Sequence, residues 1–183
     1  RRCLVGSEMC IRDRFINGDC EDFFAEVENL SLPMGRLNKI EKGNIYIDYA
    51  HTPKALESVC KCLFQKKKNK LIIVFGAGGE RDKGKRALMG EVADKYCEKI
   101  YITSDNPRNE DPQQIANMIV DGIKGSDKIS MELDRARAIK NAINELSEGD
   151  ILLIAGKGHE KKQIIGDKCS DFSDYEEVKK CIF

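Results

Sequence analysis

Four short segments of this sequence gather residue types that can do chemistry. They are Asp48-Tyr49-Ala50-His51, the stretch GAGGERDKGKR from Gly76 to Arg86, Ser104-Asp105-Asn106-Pro107-Arg108, and Gly156-Lys157-Gly158-His159-Glu160. In the third, Pro107 sets its own φ and biases Asn106 toward an extended conformation, which holds Asp105 and Arg108 on one short loop. Opposite charges so placed either pair with each other, a surface contact of little value, or read a zwitterion. In the second case the carboxylate takes an ammonium and the guanidinium takes a carboxylate in bidentate geometry. In the fourth segment, glycines around Lys157 and His159 let the backbone approach a ligand closely, and Glu160 adds a second ammonium acceptor. No serine or cysteine nucleophile motif stands beside His159, so no catalytic residue is assigned.

The glycine-rich stretch resembles two phosphate-binding motifs and completes neither. Gly79, Gly84 and Lys85 match G-x-x-x-x-G-K, but Arg86 stands where a phosphate loop needs a hydroxyl for magnesium. Gly76 and Gly78 fit a dinucleotide fingerprint, but Arg81 occupies its third glycine position. Taken alone, the stretch reads as a surface turn; with a ligand, it presents Arg81 to an anion. His51 precedes an N-cap threonine and a proline, so it either orients that turn or touches ligand.

The elements that would position these segments follow a regular alternation. Apolar or β-branched runs at Asn44–Asp48, Leu71–Phe75, Lys99–Thr103, Lys128–Leu133 and Ile151–Ala155 predict strands. Helix-like segments near Thr52–Phe64, Lys85–Tyr96, Pro112–Gly122 and Arg135–Leu146 lie between them. Thr52-Pro53 and Asp111-Pro112 each place an N-cap residue before a proline at the first helical position. Ser173 and Glu176 form a capping box that opens a last helix, and Gln163–Ile165 is a candidate edge strand. Alternating strands and helices imply βαβ units, hence an α/β fold with a mainly parallel sheet covered on both faces. In such sheets ligands bind beyond the carboxyl ends of the strands. All four segments follow strands there, so they are expected to converge on one site.

The chain has 183 residues, enough for one ordinary domain. Its 31 basic and 31 acidic residues cancel, which removes the basic footprint of a nucleic-acid binder, and no nucleic-acid partner is expected. The basic run from Lys66 to Lys70 reads as a solvated loop. No stretch is apolar for long enough to span a bilayer, and no membrane partner is expected. The eight cysteines have neither metal-knuckle spacing nor histidines enough to support a zinc site. With no export signal, reduced thiols and a cytoplasmic location are expected, and no metal site. Residues 1–14 (RRCLVGSEMCIRDR) lack periodicity and are read as a non-native leader. Residues 15–43 read as the tail of a preceding domain and a connector, and 44–183 as the domain itself.

Taken in order, the four segments resemble the carboxy-terminal domain of the Mur ligases, from about Leu32 to the end. Gly35-Arg36 resembles the glycine-arginine that precedes this domain in the family. The resemblance is strongest to the branch that adds meso-diaminopimelate to UDP-MurNAc-L-Ala-D-Glu in peptidoglycan biosynthesis. It implies a Rossmann-like sheet of about six strands and an ATP-dependent, amide-forming ligase. It further implies that Arg81, Asp105, Asn106, Pro107, Arg108, Gly156 and Glu160 hold meso-diaminopimelate, and that Arg36, Asp48 and His51 contact ATP in the closed enzyme. ATP and Mg2+ would be held mainly by the family's central domain, and the UDP-MurNAc-dipeptide by domains outside this sequence.

The family's GGDRD stands here as GGERD, with Glu80, and Ala87 replaces a common proline. The phosphate-loop domain is absent, so the chain alone is expected neither to hydrolyse ATP nor to form the amide. Meso-diaminopimelate carries an ammonium and a carboxylate at both ends, so its site needs arginines as well as acids. A lysine-adding sister would leave a guanidinium facing nothing, and Arg108 argues against it. Two further alternatives are a stand-alone nucleotide-binding module, which Arg86 opposes, and a non-enzymatic α/β interaction domain whose charged loops are solvated and bind no small molecule.

Overall fold

Two five-residue runs, Leu71–Phe75 and Ile151–Ala155, are buried at every position. A strand that is apolar on both sides belongs in the middle of a parallel sheet with both faces covered, and both lie there. The computed structural model describes residues 35–40 and 43–182. The strands are β1 (Asn38–Lys39), β2 (Ile45–Asp48), β3 (Leu71–Phe75), β4 (Lys99–Ile102), β5 (Ile129–Met131), β6 (Ile151–Ala155), β7 (Lys162–Ile165) and β8 (Lys168–Asp171). The helices are α1 (Pro53–Lys66), α2 (Gly84–Tyr96), α3 (Pro112–Val120), α4 (Arg135–Asn144) and α5 (Asp174–Ile182). The leader read at 1–14 and most of the connector read at 15–43 lie outside the described residues.

Six strands form one sheet in the order β1-β2-β6-β3-β4-β5, with β1 antiparallel and the rest parallel. Period-two alternation within the strands sorts the core into two halves. Leu71, Ile73, Phe75, Leu153 and Ala155 face one side, under α1, α2 and α3. Ile72, Val74, Leu152 and Ile154 face the other, under α4 and α5. Connections rightward from β2 through β5 run over the first face, and the return from β5 to β6 runs over the second, as right-handed crossovers require. The connections leaving β3 and β6 therefore run over opposite faces, which opens a crevice at the carboxyl ends of these two neighbouring parallel strands.

Three helix starts carry a side-chain cap. Thr52 accepts a hydrogen bond from the Ala55 N–H and Asp111 from the Gln113 N–H, each before a proline. Asp134 caps α4 through the Arg137 N–H.

One expectation is corrected. The strand at Gln163–Ile165 is not an edge of the main sheet: it pairs antiparallel with β8 in a separate hairpin. Gly166, at φ +56°, begins the two-residue turn that folds β7 back on β8. The sixth strand of the main sheet is β1 instead.

Candidate functional site

The four segments meet at the carboxyl ends of β2, β3, β4 and β6. Two glycines make the meeting possible. A Cβ on Gly79 would lie 1.8 Å from the Pro107 carbonyl oxygen, so the glycine-rich loop can rest against the Asp105–Arg108 loop only without a side chain. Gly156 sits at φ +111°, and a Cβ there would lie 2.8 Å from Asp105 Oδ2.

The β7 strand fastens the Asp105–Arg108 loop from the far side. The Gln163 amide donates to the Asp105 carbonyl (2.9 Å), and the Ile164 N–H donates to Asn106 Oδ1 (3.0 Å). The Arg108 N–H donates to the Ile164 carbonyl (3.1 Å). Arg108 takes φ +53°, a left-handed conformation that a non-glycine residue keeps only when its surroundings hold it there.

At the centre lies Lys157, fully buried. Its ammonium donates to Asn106 Oδ1 (3.1 Å) and Glu160 Oε2 (3.3 Å), and stands 3.7 Å from Asp105 Oδ1. Asn106 Nδ2 also donates to Glu160 Oε2 (2.9 Å). Two carboxylates around one ammonium leave a net negative centre. The Tyr49 hydroxyl donates to Glu160 Oε1 at 3.5 Å. Burial, and then the Glu160 charge, push the Tyr49 pKa up.

Asp105 and Arg108 do not pair with each other. The Asp105 carboxylate turns to Lys157, while Arg108 Nη1 donates to the Gly79 (2.8 Å) and Asn106 (3.3 Å) carbonyls. Arg81 is exposed at the rim, and among the described residues its side chain hydrogen-bonds the Glu80 carbonyl within its own loop (3.1 Å). Glu80 itself has φ +54°.

Arg86 is no phosphate ligand. It is fully buried and forms a two-point pair with Glu110 (2.9 and 3.1 Å), with a further bond to the Gly78 carbonyl (3.2 Å). Hydrogen bonds from Arg86 and from the Glu80 N–H pull the Glu110 carboxyl down to about 2. This pair ties the glycine-rich loop to the residues that precede α3.

The second group of expected contacts lies beside β1. Asp48 accepts from the Leu37 N–H (2.7 Å) and the Ala50 N–H (2.7 Å), and so holds the turn on which Arg36 stands exposed. His51 is exposed, with Nδ1 2.8 Å from the Tyr49 carbonyl oxygen, and orients its turn. Lys85 donates to the His51 carbonyl (2.9 Å); burial lowers its pKa, and Asp105 opposes that shift.

Four site-building residues escaped the reading of single motifs: Lys157 as a hub, Gln163, Arg86 and Arg135. The clearest missed signal was a lysine set between two glycines directly after a wholly apolar strand. Arg135 is buried, bonded to Asp174 at 2.7 and 2.8 Å and to the Ala155 carbonyl at 2.9 Å, just before the Gly156 loop. Burial works against its charge, but Asp174, backed by Asp105 and Glu160, holds its pKa above the ordinary value. A separate groove of about 740 Å³ opens on the α5 face, lined by Lys39, Ile40, Ile47, Phe172 and Tyr175 among others. Gly158 and His159 of the fourth segment also line it, but Asp105, Asn106, Lys157 and Glu160 do not.

No helix among the described residues is long and apolar enough to cross a membrane. The five described cysteines are free thiols. No group of three or more His, Cys, Asp or Glu among the described residues could hold a metal ion.

Residues 35–158 match the family described as Mur ligase, glutamate ligase domain. The UDP-N-acetylmuramoyl-L-alanyl-D-glutamate–2,6-diaminopimelate ligase of Rickettsia rickettsii is 48% identical over 170 residues, 92% of this chain and 35% of that protein. Its namesake in Aquifex aeolicus is 50% identical over 142 residues, 78% of this chain and 30% of that protein. The chain thus spans about a third of the length of these relatives. A solved structure of a ligase of the same name superposes with a TM-score of 0.77 at 39% identity, covering 94% of this chain and 36% of that one. A folylpolyglutamate synthase of Mycobacterium tuberculosis shares the fold alone, with a TM-score of 0.62 at 18% identity, covering 78% of this chain and 34% of that one.

Proposed function

The chain belongs to the Mur ligase family, and on that premise we propose that it is the amino-acid-binding carboxy-terminal domain of an ATP-dependent ligase joining meso-diaminopimelate to UDP-MurNAc-L-Ala-D-Glu. The observation that carries the reading is the composition of the crevice. Two carboxylates, Asp105 and Glu160, share a single buried ammonium, while Arg108 on the same loop leaves Asp105 unpaired with it. Such a site has negative charge to offer an ammonium and a guanidinium to offer a carboxylate.

In this reading Asp105, Asn106 and Glu160 take an ammonium of the amino acid. Arg108 and the rim residue Arg81 take its carboxylates in charge-assisted bonds. Gly156 and Pro107 shape the wall by close backbone approach. The namesake relatives act, by their names, on 2,6-diaminopimelate, in keeping with this residue set.

ATP would supply the phosphate that activates the acceptor carboxyl. Arg36, exposed on a turn that Asp48 braces, fits a role in reaching a phosphate presented from outside this domain, with Asp48 and His51 beside it. Mg2+ would be held mainly by the part of the ligase outside this chain. The remaining two thirds of the ligase would carry the nucleotide and the UDP-linked precursor, and the whole enzyme would work in the cytoplasm.

The test is calorimetric titration of the full-length ligase with meso-diaminopimelate and with L-lysine, in the presence of an ATP analogue and the UDP-precursor. Selective binding of diaminopimelate that is lost in Arg108→Ala is expected. Equal or tighter binding of lysine would overturn the substrate assignment.

A further inference from the structure

Lys157 has no exposed surface, and its ammonium is engaged by Asn106, Glu160 and Asp105. It is therefore walled off from an incoming ligand, and yet it touches three of the residues proposed above to hold one. A buried ammonium is costly to keep unless it is paired and hydrogen-bonded. Here it is both, and the pairing has a geometric consequence.

Asn106 Oδ1 accepts from two donors, Lys157 Nζ (3.1 Å) and the Ile164 N–H (3.0 Å). That fixes which end of the amide is oxygen, so Nδ2 must point to Glu160 Oε2. Glu160 Oε2 then holds two donors, and its other oxygen, Oε1, is left with the long 3.5 Å bond from Tyr49. The chain of contacts from Lys157 through Asn106 to Glu160 thus decides which carboxylate oxygen is presented. It also places one positive charge between two negative ones, so that both can stay close together in a low-dielectric setting.

We propose that Lys157 is a positioning residue of the amino-acid subsite: its buried ammonium fixes the Asn106 amide and the Glu160 carboxylate so that Glu160 Oε1 and Asp105 face an incoming ammonium group. This rests on the assignment of the crevice to an amino acid. It adds a residue that never contacts the substrate. Loss of such a residue weakens the binding of the amino acid and leaves the other two substrates alone, which loss of a purely structural lysine would not do.

The experiment uses the full-length ligase carrying Lys157→Met and, separately, Lys157→Gln, which keeps a donor but removes the charge. Michaelis constants are measured for the amino acid, ATP and UDP-precursor, with thermal unfolding as a check on the fold. The expected result is a rise of at least tenfold in KM for the amino acid in Lys157→Met and a smaller rise in Lys157→Gln. KM for ATP and for the UDP-precursor should stay within twofold. In the Lys157→Met background, Asn106→Leu should cost much less than it does alone, because the amide is no longer oriented. Unchanged KM for the amino acid, a uniform rise in all three constants, or loss of the folded state in both variants would overturn the proposal. If the wild type prefers lysine to diaminopimelate, the substrate assignment falls. A selective effect on the preferred amino acid would still stand for Lys157.

Discussion

Arg135 and Asp174 face each other through two parallel bonds, Nε to Oδ1 at 2.7 Å and Nη2 to Oδ2 at 2.8 Å, with neither side chain exposed to solvent. Arg135 opens α4 and Asp174 opens α5, so the pair locks together the two helices that cover one face of the sheet. The same guanidinium reaches the Ala155 carbonyl, where β6 passes into the site loop. Removing one partner of such a pair leaves a buried charge without compensation. Asp174→Ala should therefore lower the unfolding free energy by about 3–5 kcal/mol. Urea denaturation of the ligase or of this domain would measure it, and a loss below about 1 kcal/mol would contradict the account.

The Glu110 carboxyl, held near 2 by Arg86 and the Glu80 N–H, against an ordinary value of 4.5, makes stability depend on pH in a defined window. A carboxyl depressed in the folded state contributes stability above its unfolded value and loses it as pH falls through its folded value. Its contribution should be present at neutral pH and fade between 4.5 and about 2. Glu110→Gln should flatten the melting temperature against pH across that interval. An unaltered slope would show that Glu110 is not the group responsible.

Gly78 and Gly79 are neighbours in sequence with different surroundings. A Cβ on Gly79 meets the Pro107 carbonyl oxygen at 1.8 Å, whereas one on Gly78 meets Arg108 Nη1 at 3.4 Å and Arg81 Cγ at 3.6 Å. Gly79→Ala should displace the Asp105–Arg108 loop and weaken amino-acid binding at least tenfold. Gly78→Ala should be within threefold of wild type. Titration of both variants decides it, and equal effects would refute the close-approach argument.

Arg81 is exposed and, among the described residues, bonded only within its own loop. Arg81→Ala should leave stability within about 0.5 kcal/mol, as surface changes generally do. It should nevertheless raise the dissociation constant for diaminopimelate several-fold. A variant that binds normally would remove Arg81 from the proposed site.

Cys169 is exposed, while Cys60 and Cys97 are buried, and burial pushes the Cys97 thiol well up, with Cys60 beside it adding to the shift. The thiolate is the reactive form. Cys169→Ser should remove one fast-reacting thiol in an alkylation time course under native conditions. Cys97→Ser should change only the count seen after unfolding.

The fold was legible because its signals are local. Apolar runs of five residues, β-branched content and proline behind an N-cap residue each act on their own neighbourhood, and strands alternating with helices leave few topologies. Gln163–Ile165 was misplaced because a short strand carries no mark of its partner: the Gly166 turn, not its own pattern, sends it to β8. The convergence of the four loops also followed from the sequence, since a parallel sheet puts the ends of its strands on one side. What the sequence could not fix was which charges meet. Asp105 lies three positions from Arg108 yet pairs with Lys157, and Arg86 pairs with Glu110. Those choices depend on burial, backbone direction at positive φ and the approach of loops distant in sequence, and only the folded chain sets them. The sequence by itself determined the layers, the edge where the chemistry gathers and the family. The tertiary structure decided which side chains are braces and which are left to face a ligand, because a charge buried on folding must find its partner in space rather than along the chain.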